Sequence, residues 1–397
     1  MLYLRLLRRP YVTRLLTGSL IGRMPGAMAA LAIALTLREA GSGYRLVGVA
    51  TGVFAVAGAV GGPLLGRLVD RTGQPRVLIV SAVVSGLGYA LLAVAPGSAY
   101  AIVAGAVVAG AAAPPLEPCL RALWPALVDK DQLESAYAVD AGAQEVMFIA
   151  GPLAVAGVAA LGPAPLALWL AAVLGLLGSV VMATAEPSRS WRTEVRDAHW
   201  LGPLRSPGLL LLLTALFGAG WAVGTFNVFS VAYAEAHSVP GGAGTLMALS
   251  AFGALLGAVT YGALGWAAAA RHKAVLLAAG MAATYWLVAL VPGPAGGCLV
   301  AVGTGVFFAP LLTVAFGMVG ELAPEGTVTE AFAWLVTLIG GGIAAGSAVA
   351  GLLLAGSTLT AAAAVGACGV TAGALVLAFT RSGLAANHPA GEASRVS

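Results

Sequence analysis

The chain is poor in charge. Of its 397 residues only 9% are Asp, Glu, Lys or Arg, where a water-wetted domain carries about a quarter. Lysine is almost absent: Lys130 and Lys273 are the only two, and with the excess of Ala and Gly this reads as coding bias. The three cysteines, Cys119, Cys298 and Cys368, sit apart in apolar sequence, and His199, His237, His272 and His388 fall in loops or the tail. Without a CxxC pair or a Cys/His cluster there is no basis for a disulfide framework, a zinc site or a haem attachment. There is no GxSxG, HExxH or GxxxxGK[ST] pattern either, which speaks against an enzyme and against an ATP-driven pump. The net charge of +4 is not gathered into a basic face with interleaved aromatics, so nucleic acid is not an expected partner. No cofactor or metal is implied.

What is present is hydrophobic length. Apolar residues make up 60% of the chain and its mean hydropathy is +0.95, so lipid is part of its solvent. Apolar stretches fall at 14–38, 46–66, 77–95, 99–124, 137–161 and 166–184, then at 208–234, 244–268, 274–292, 297–320, 328–354 and 358–380. Each is long enough for a bilayer of about 30 Å at about 1.5 Å per helical residue. They lack the alternation of a membrane barrel strand, so the fold class is all-α with twelve transmembrane helices. The basic N-terminus (Arg5, Arg8, Arg9, Arg14) resembles a signal peptide, but the run behind it continues past Arg23 to about Leu37 and reads as a retained first span.

Apart from Arg23 and Arg121 inside spans, every basic residue except Arg38 and Arg45 falls on the side of the termini. By the positive-inside rule both ends are cytoplasmic, in a multi-pass protein of the cell membrane. The domains read as a six-helix bundle over 1–184, a cytoplasmic linker over 185–207, a second bundle over 208–380, and a tail over 381–397. An offset of 196 residues superposes Gly22 on Gly218, Glu39 on Glu235, Gly48 on Gly244 and Gly66 on Gly262, the mark of two parallel halves. Nothing in the pattern asks for a partner chain, and a monomer is expected.

Between the second and third stretches lies Gly66-Arg67-Leu68-Val69-Asp70-Arg71-Thr72-Gly73-Gln74-Pro75-Arg76, a charged hairpin of the form GxxxDRxGxxR. With six-plus-six architecture and a long middle loop it resembles the major facilitator superfamily of transporters over essentially the whole chain. The resemblance implies that Asp70 contacts an adjacent helix end and, with Arg71, holds the cytoplasmic side closed. Gly66 and Gly73 would permit close approach and a turn, and Arg76 completes the motif. The same charges would also serve simply to keep a hairpin in water. In the second half Trp266 stands in place of the acid, so gating by this motif is expected on one side only. Two marks of the family's drug/proton antiporters are incomplete: Ala101–Ala113 carries no arginine, and of the fifth-helix glycine series there is little beyond Gly151-Pro152.

An ionisable group at a span centre costs about 2.5–3.5 kcal/mol, which makes each one a functional candidate. Arg23 and Glu145 lie at similar depth near the midplane and could pair. Glu117 and Arg121 are i,i+4 on the fourth helix, Arg121 near enough to the cytoplasmic end to snorkel. Asp140 and Gln144 share a face of the fifth, with Asp140 near interfacial water. Structural ion pairs and a proton path are both open readings, with Glu145 the leading proton carrier. Pro114, Pro115 and Pro118 should deprive the carbonyls of Gly110, Ala111 and Pro114 of donors and break the fourth helix beside a cavity; a plain kink is the alternative. The second half offers Trp221, Asn227 and further aromatics to that cavity, and Glu330 is expected to face water.

A chamber with charge on one wall and aromatics on the other suits an amphiphilic organic cargo. The expectation is a secondary active transporter exporting small organic molecules by alternating access, driven by protons. A proton-coupled uptake permease is the nearest alternative, and a non-transporting receptor or enzyme the alternative of another class.

Overall fold

The computed structural model describes Leu6 and residues 8–192, 201–264, 266–354 and 358–379. Arg5, Arg196, Arg381, Arg395, His199, His388 and the 381–397 tail lie outside the described residues. The described chain is helical without strands and holds 12 helices of membrane-spanning length and apolarity. Spans 1–6 are Val12–Glu39, Tyr44–Thr72, Gln74–Val94, the pair Ala99–Ala111 and Leu116–Leu127, Leu133–Leu161, and Pro165–Ala183. Spans 7–12 are Pro207–His237, Ala243–Leu264, Ala270–Ala289, the pair Pro294–Val306 and Phe308–Leu322, Val328–Leu354, and Leu359–Phe379. Helices satisfy every backbone group internally, which a hydrocarbon solvent demands. The end of the bundle bearing Val12 and Phe379 is called the terminal face, the other the far face.

The charged motif is not a hairpin loop. Span 2 continues helically through Thr72 and span 3 begins at Gln74, leaving Gly73 alone to turn the chain. Gly73 sits at φ 88°, which glycine adopts freely. Arg67, Asp70 and Arg71 therefore project from the last turns of a helix, and their directions follow its 3.6-residue period.

Spans 4 and 10 break at related points. Their first helices end at Ala111 and Val306, each four residues before a proline, Pro115 and Pro310, whose missing N–H would have closed the next bond. The freed carbonyls are largely reclaimed: Ala113 N–H donates to Gly110 at 3.1 Å and Leu116 N–H to Pro114 at 2.8 Å. The expected row of three empty carbonyls is thus reduced by local turns.

Glycine places the helices. Gly22 meets Gly178 where spans 1 and 6 cross, and its repeat mate Gly218 meets Gly369 and Gly373 where spans 7 and 12 cross. The 196-residue correspondence therefore marks equivalent crossings. The halves differ where span 7 packs along span 11, the most extensive helix pairing in the molecule. There Gly220 and Gly224 lie on the carbonyls of Ile339 and Ile343, while Gly342 and Gly346 lie on those of Phe217 and Trp221. The first-half counterparts by the same offset are Met24, Met28, Val146 and Ala150, and spans 1 and 5 touch far less. Side chains in place of glycine keep two helices apart.

Candidate functional site

Five candidates from three spans converge in the first half. Arg23 of span 1, Glu117 and Arg121 of span 4, and Asp140 of span 5 form a closed ring of alternating charge. Arg23 bonds Glu117 at 2.9 Å and Asp140 at 3.1 Å; Arg121 bonds Glu117 at 2.6 Å and Asp140 at 2.8 Å. Gln144 closes the centre, its Oε1 accepting from Arg23 at 2.9 Å and Arg121 at 3.2 Å. Asp140 and Arg121 are fully buried. Two cations and two anions cancel, as burial in a low-dielectric medium requires.

This geometry corrects three expectations. Arg23 pairs with Asp140 and Glu117 rather than with Glu145. Arg121 does not snorkel to water: its guanidinium lies 3.5 Å from the centre of the Phe316 ring, and its Nη1 has no hydrogen-bond partner. Asp140 does not reach interfacial water, because both arginines enclose it. The i,i+4 pair of Glu117 with Arg121 and the shared face of Asp140 and Gln144 are as read from the sequence.

Glu145, one residue beyond Gln144, points elsewhere. It is the first-half member of a cavity of about 130 Å³ built otherwise from spans 7 to 10, including Phe226, Asn227, Ser250, Tyr285, Thr304 and Phe308. No hydrogen bond or ion pair to Glu145 is found among the described residues. A larger cavity of about 320 Å³ is lined by all six first-half spans and by Ala333, Val336 and Thr337 of span 11. Arg23, Glu117, Pro114, Pro115 and Pro118 are in its wall, so the break in span 4 does border a cavity. Gly151 is spent on contact with Ala27, and Pro152 lies outside both cavities. Trp221 turns away too: its Nε1 donates to Val365 of span 12 at 3.0 Å.

The halves are tied at the terminal face. The carboxylate of Asp70 accepts the N–H of Thr329 at 3.1 Å and of Glu330 at 2.9 Å, capping span 11 across the interface. Beside it the Arg67 guanidinium grips the Glu330 carboxylate with Nε and Nη2, both at 2.9 Å. A Cβ on Gly66 would stand 3.0 Å from the Cα of Glu330, so glycine lets the two helices meet. Gly202, near the end of the linker, covers this fork. Glu330 is buried, 4% exposed, contrary to the expectation that it faces water. Arg71 and Arg76 are exposed and have no partner among the described residues, so the basic partner in this contact is Arg67.

A second tie occupies the symmetry-related place. Glu134, at the start of span 5, accepts from Tyr261 at 2.7 Å and Lys273 at 2.6 Å, and Ser135 donates to the Gly262 carbonyl at 3.2 Å. The second half thus does hold buried charge, in Lys273 and Glu330. Arg67, Glu330, Glu134 and Lys273 were missed as partners by sequence reasoning. One signal was available: the 196-residue offset superposes Glu134 on Glu330, an acid in the first turn of spans 5 and 11 alike.

Solved structures of transporters share this fold. A bacterial homologue of the iron transporter ferroportin, in an outward-facing state, superposes with a TM-score of 0.72 at 15% identity, covering 92% of this chain and 98% of that one. A variant of the fucose:proton symporter FucP of E. coli gives 0.72 at 15% identity, over 93% and 98%. The human organic anion transporter MFSD10 gives 0.64 at 15%, over 92% and 98%. No protein of curated function matches at the sequence level. The family model of the Major Facilitator Superfamily matches residues 15–315. With its twelve spans in two related halves, this multi-pass membrane protein belongs to the major facilitator superfamily, a family of transporters rather than enzymes.

Proposed function

We propose that the protein exports small organic molecules across the cell membrane in exchange for protons, with its termini and linker in the cytoplasm and a single chain as the working unit. The observation that carries the coupling is the contrast among buried acids. Glu117 and Asp140 are each held by two arginines, so taking up a proton would break a compensated ring. Glu145 faces a cavity with no compensating cation, and a carboxylate so placed can exchange a proton as access alternates. The expected pairing with Arg23 is replaced by this stronger reason for the same residue.

The contacts of Asp70 and Arg67 with span 11, and of Glu134 with Tyr261 and Lys273, support a conformer closed on the cytoplasmic side. Asp70 would cap span 11 only in that conformer, which is the gating role proposed for it. Gly66 and Gly73 would serve this role through packing and turn. Among the described residues no three His, Cys, Asp or Glu converge as metal ligands, so a cargo met by hydrogen bonds and charge fits better than a bare metal ion.

The test is proton flux in proteoliposomes. Cargo-driven flux is expected in the wild type and its loss in Glu145→Gln; undiminished flux in that variant removes Glu145 from the proton path. Counterflow in everted vesicles separates export from uptake, and retention inside those vesicles only with an inwardly acidic gradient supports export.

A further inference from the structure

We infer that the cavity around Glu145 is a binding site for the ammonium group of an organic cation, its carboxylate supplied by one half of the molecule and its remaining lining by the other. This deepens the transporter reading and rests on it. The argument starts from which hydrogen-bonding capacity is unspent. Thr304 donates its hydroxyl proton to the Ala301 carbonyl at 2.6 Å, so in the 2.9 Å contact between Ser250 and Thr304 the proton is that of Ser250. Both hydroxyls have then committed their protons within the protein, and what they offer the cavity is lone pairs.

Glu145 when ionised is an acceptor only; the Asn227 amide has an acceptor oxygen beside two N–H donors, and the Tyr285 hydroxyl can donate or accept; none of the three has a hydrogen bond among the described residues. Phe226 and Phe308 add aromatic rings, whose faces attract cations. The lining mixes neutral donors and acceptors, and its one charge is the carboxylate of Glu145 with no cation beside it. The net preference is therefore for a cationic donor, while a carboxylate or phosphate cargo would meet like charge. The volume of about 130 Å³ far exceeds the roughly 10–15 Å³ needed for one water. It therefore admits an ammonium group with attached carbons.

The division between halves has a consequence. Glu145 rides on span 5, whereas Asn227, Ser250 and Thr304 ride on spans 7, 8 and 10. When the halves rock, the charge moves relative to the neutral acceptors, so the full set is assembled in one conformer only. The cation is then released by disassembly of its site rather than by opening of a door alone.

The experiment is equilibrium binding of radiolabelled benzylammonium to the full-length protein in nanodiscs, with benzyl alcohol and benzoate as neutral and anionic competitors. Benzylammonium is expected to bind at least about tenfold tighter than either. Glu145→Gln should weaken it by about tenfold to a hundredfold, the range for a charge-assisted hydrogen bond. Ser250→Ala should weaken it by about threefold to tenfold. Adding Asn227→Asp to Glu145→Gln returns a carboxylate to the same cavity and should restore binding, which a merely structural role for Glu145 would not allow. Equal binding of benzoate, or an unchanged Kd in Glu145→Gln, overturns the inference. Intact benzylammonium binding without benzylammonium counterflow in proteoliposomes would leave this site standing and sink the transport reading. Proton-coupled flux of a neutral cargo with no ammonium binding would do the reverse.

Discussion

Replacing Asp70 by Ala removes a helix cap that crosses the interface, and the structure sets its magnitude. Two hydrogen bonds to an ionised acceptor, at 3.1 and 2.9 Å, are lost. Bonds to charged groups contribute about 1.5–3 kcal/mol each. Against this stands relief of the buried Asp70 carboxylate from its acidic neighbour Glu330. A net loss of about 2–3 kcal/mol is reasonable, equivalent to about a 30- to 150-fold shift toward the conformer open at the terminal face. The assay is the distance between spin labels at Ala40→Cys and Ala236→Cys, symmetry-related exposed positions at the far ends of spans 1 and 7, with Cys298 and Cys368 changed to Ser. A shift of this size moves a 99:1 population to near parity, so a second, shorter distance should emerge in Asp70→Ala. The internal controls carry the logic. Arg71→Ala, an exposed residue with no described partner, should change the distribution by less than about 0.5 kcal/mol. Glu134→Gln breaks the partly solvated second tie, the Glu134 side chain being 41% exposed, and should move it by no more than about 1 kcal/mol. An unchanged distribution in Asp70→Ala, or an equal change in Arg71→Ala, would refute the reasoning.

Two further outcomes follow from packing and burial. Asp140→Asn takes one anion from the charge ring and leaves buried arginines uncompensated, at a cost of about 3–5 kcal/mol; a lower melting midpoint of the detergent-purified protein checks it, and an unchanged midpoint contradicts the ring. Gly346→Val would press its Cβ into the carbonyl of Trp221 and abolish monodisperse protein on size exclusion, whereas Gly351→Val, with open space at that position on the same helix, should be tolerated.

The twelve spans, their order and the two-half plan were legible because hydrocarbon imposes one simple requirement, a long apolar helix, and each stretch meets it unaided. The break in span 4 was legible from its prolines, which lack an N–H, and falls four residues before Pro115. Pro25, Pro63 and Pro152 lack it too yet stay inside continuous helices, so residue type alone does not place a break, and the one before Pro310 in span 10 was not read. The motif at 66–76 pointed to the correct neighbourhood, and its Asp70 does meet the end of an adjacent helix.

Partnership was another matter. Arg23 and Glu145 match in depth, yet they lie on helices whose rotation sends Glu145 toward spans 7 to 10 while Arg23 meets span 4 and Asp140. Depth is a one-dimensional property that residue counting supplies; azimuth depends on how the neighbouring helices pack. Arg67 and Arg71, four residues apart, share a helix face, yet it is Arg67 that meets Glu330 at the start of span 11, whereas Arg71, one turn nearer the end of span 2, is exposed. The sequence by itself determined a membrane protein of two related six-helix halves. Only the tertiary structure decided which charges cancel, which acid is left facing a cavity, and where the halves touch, because those depend on helix rotation and on glycine crossings that join spans distant in the chain.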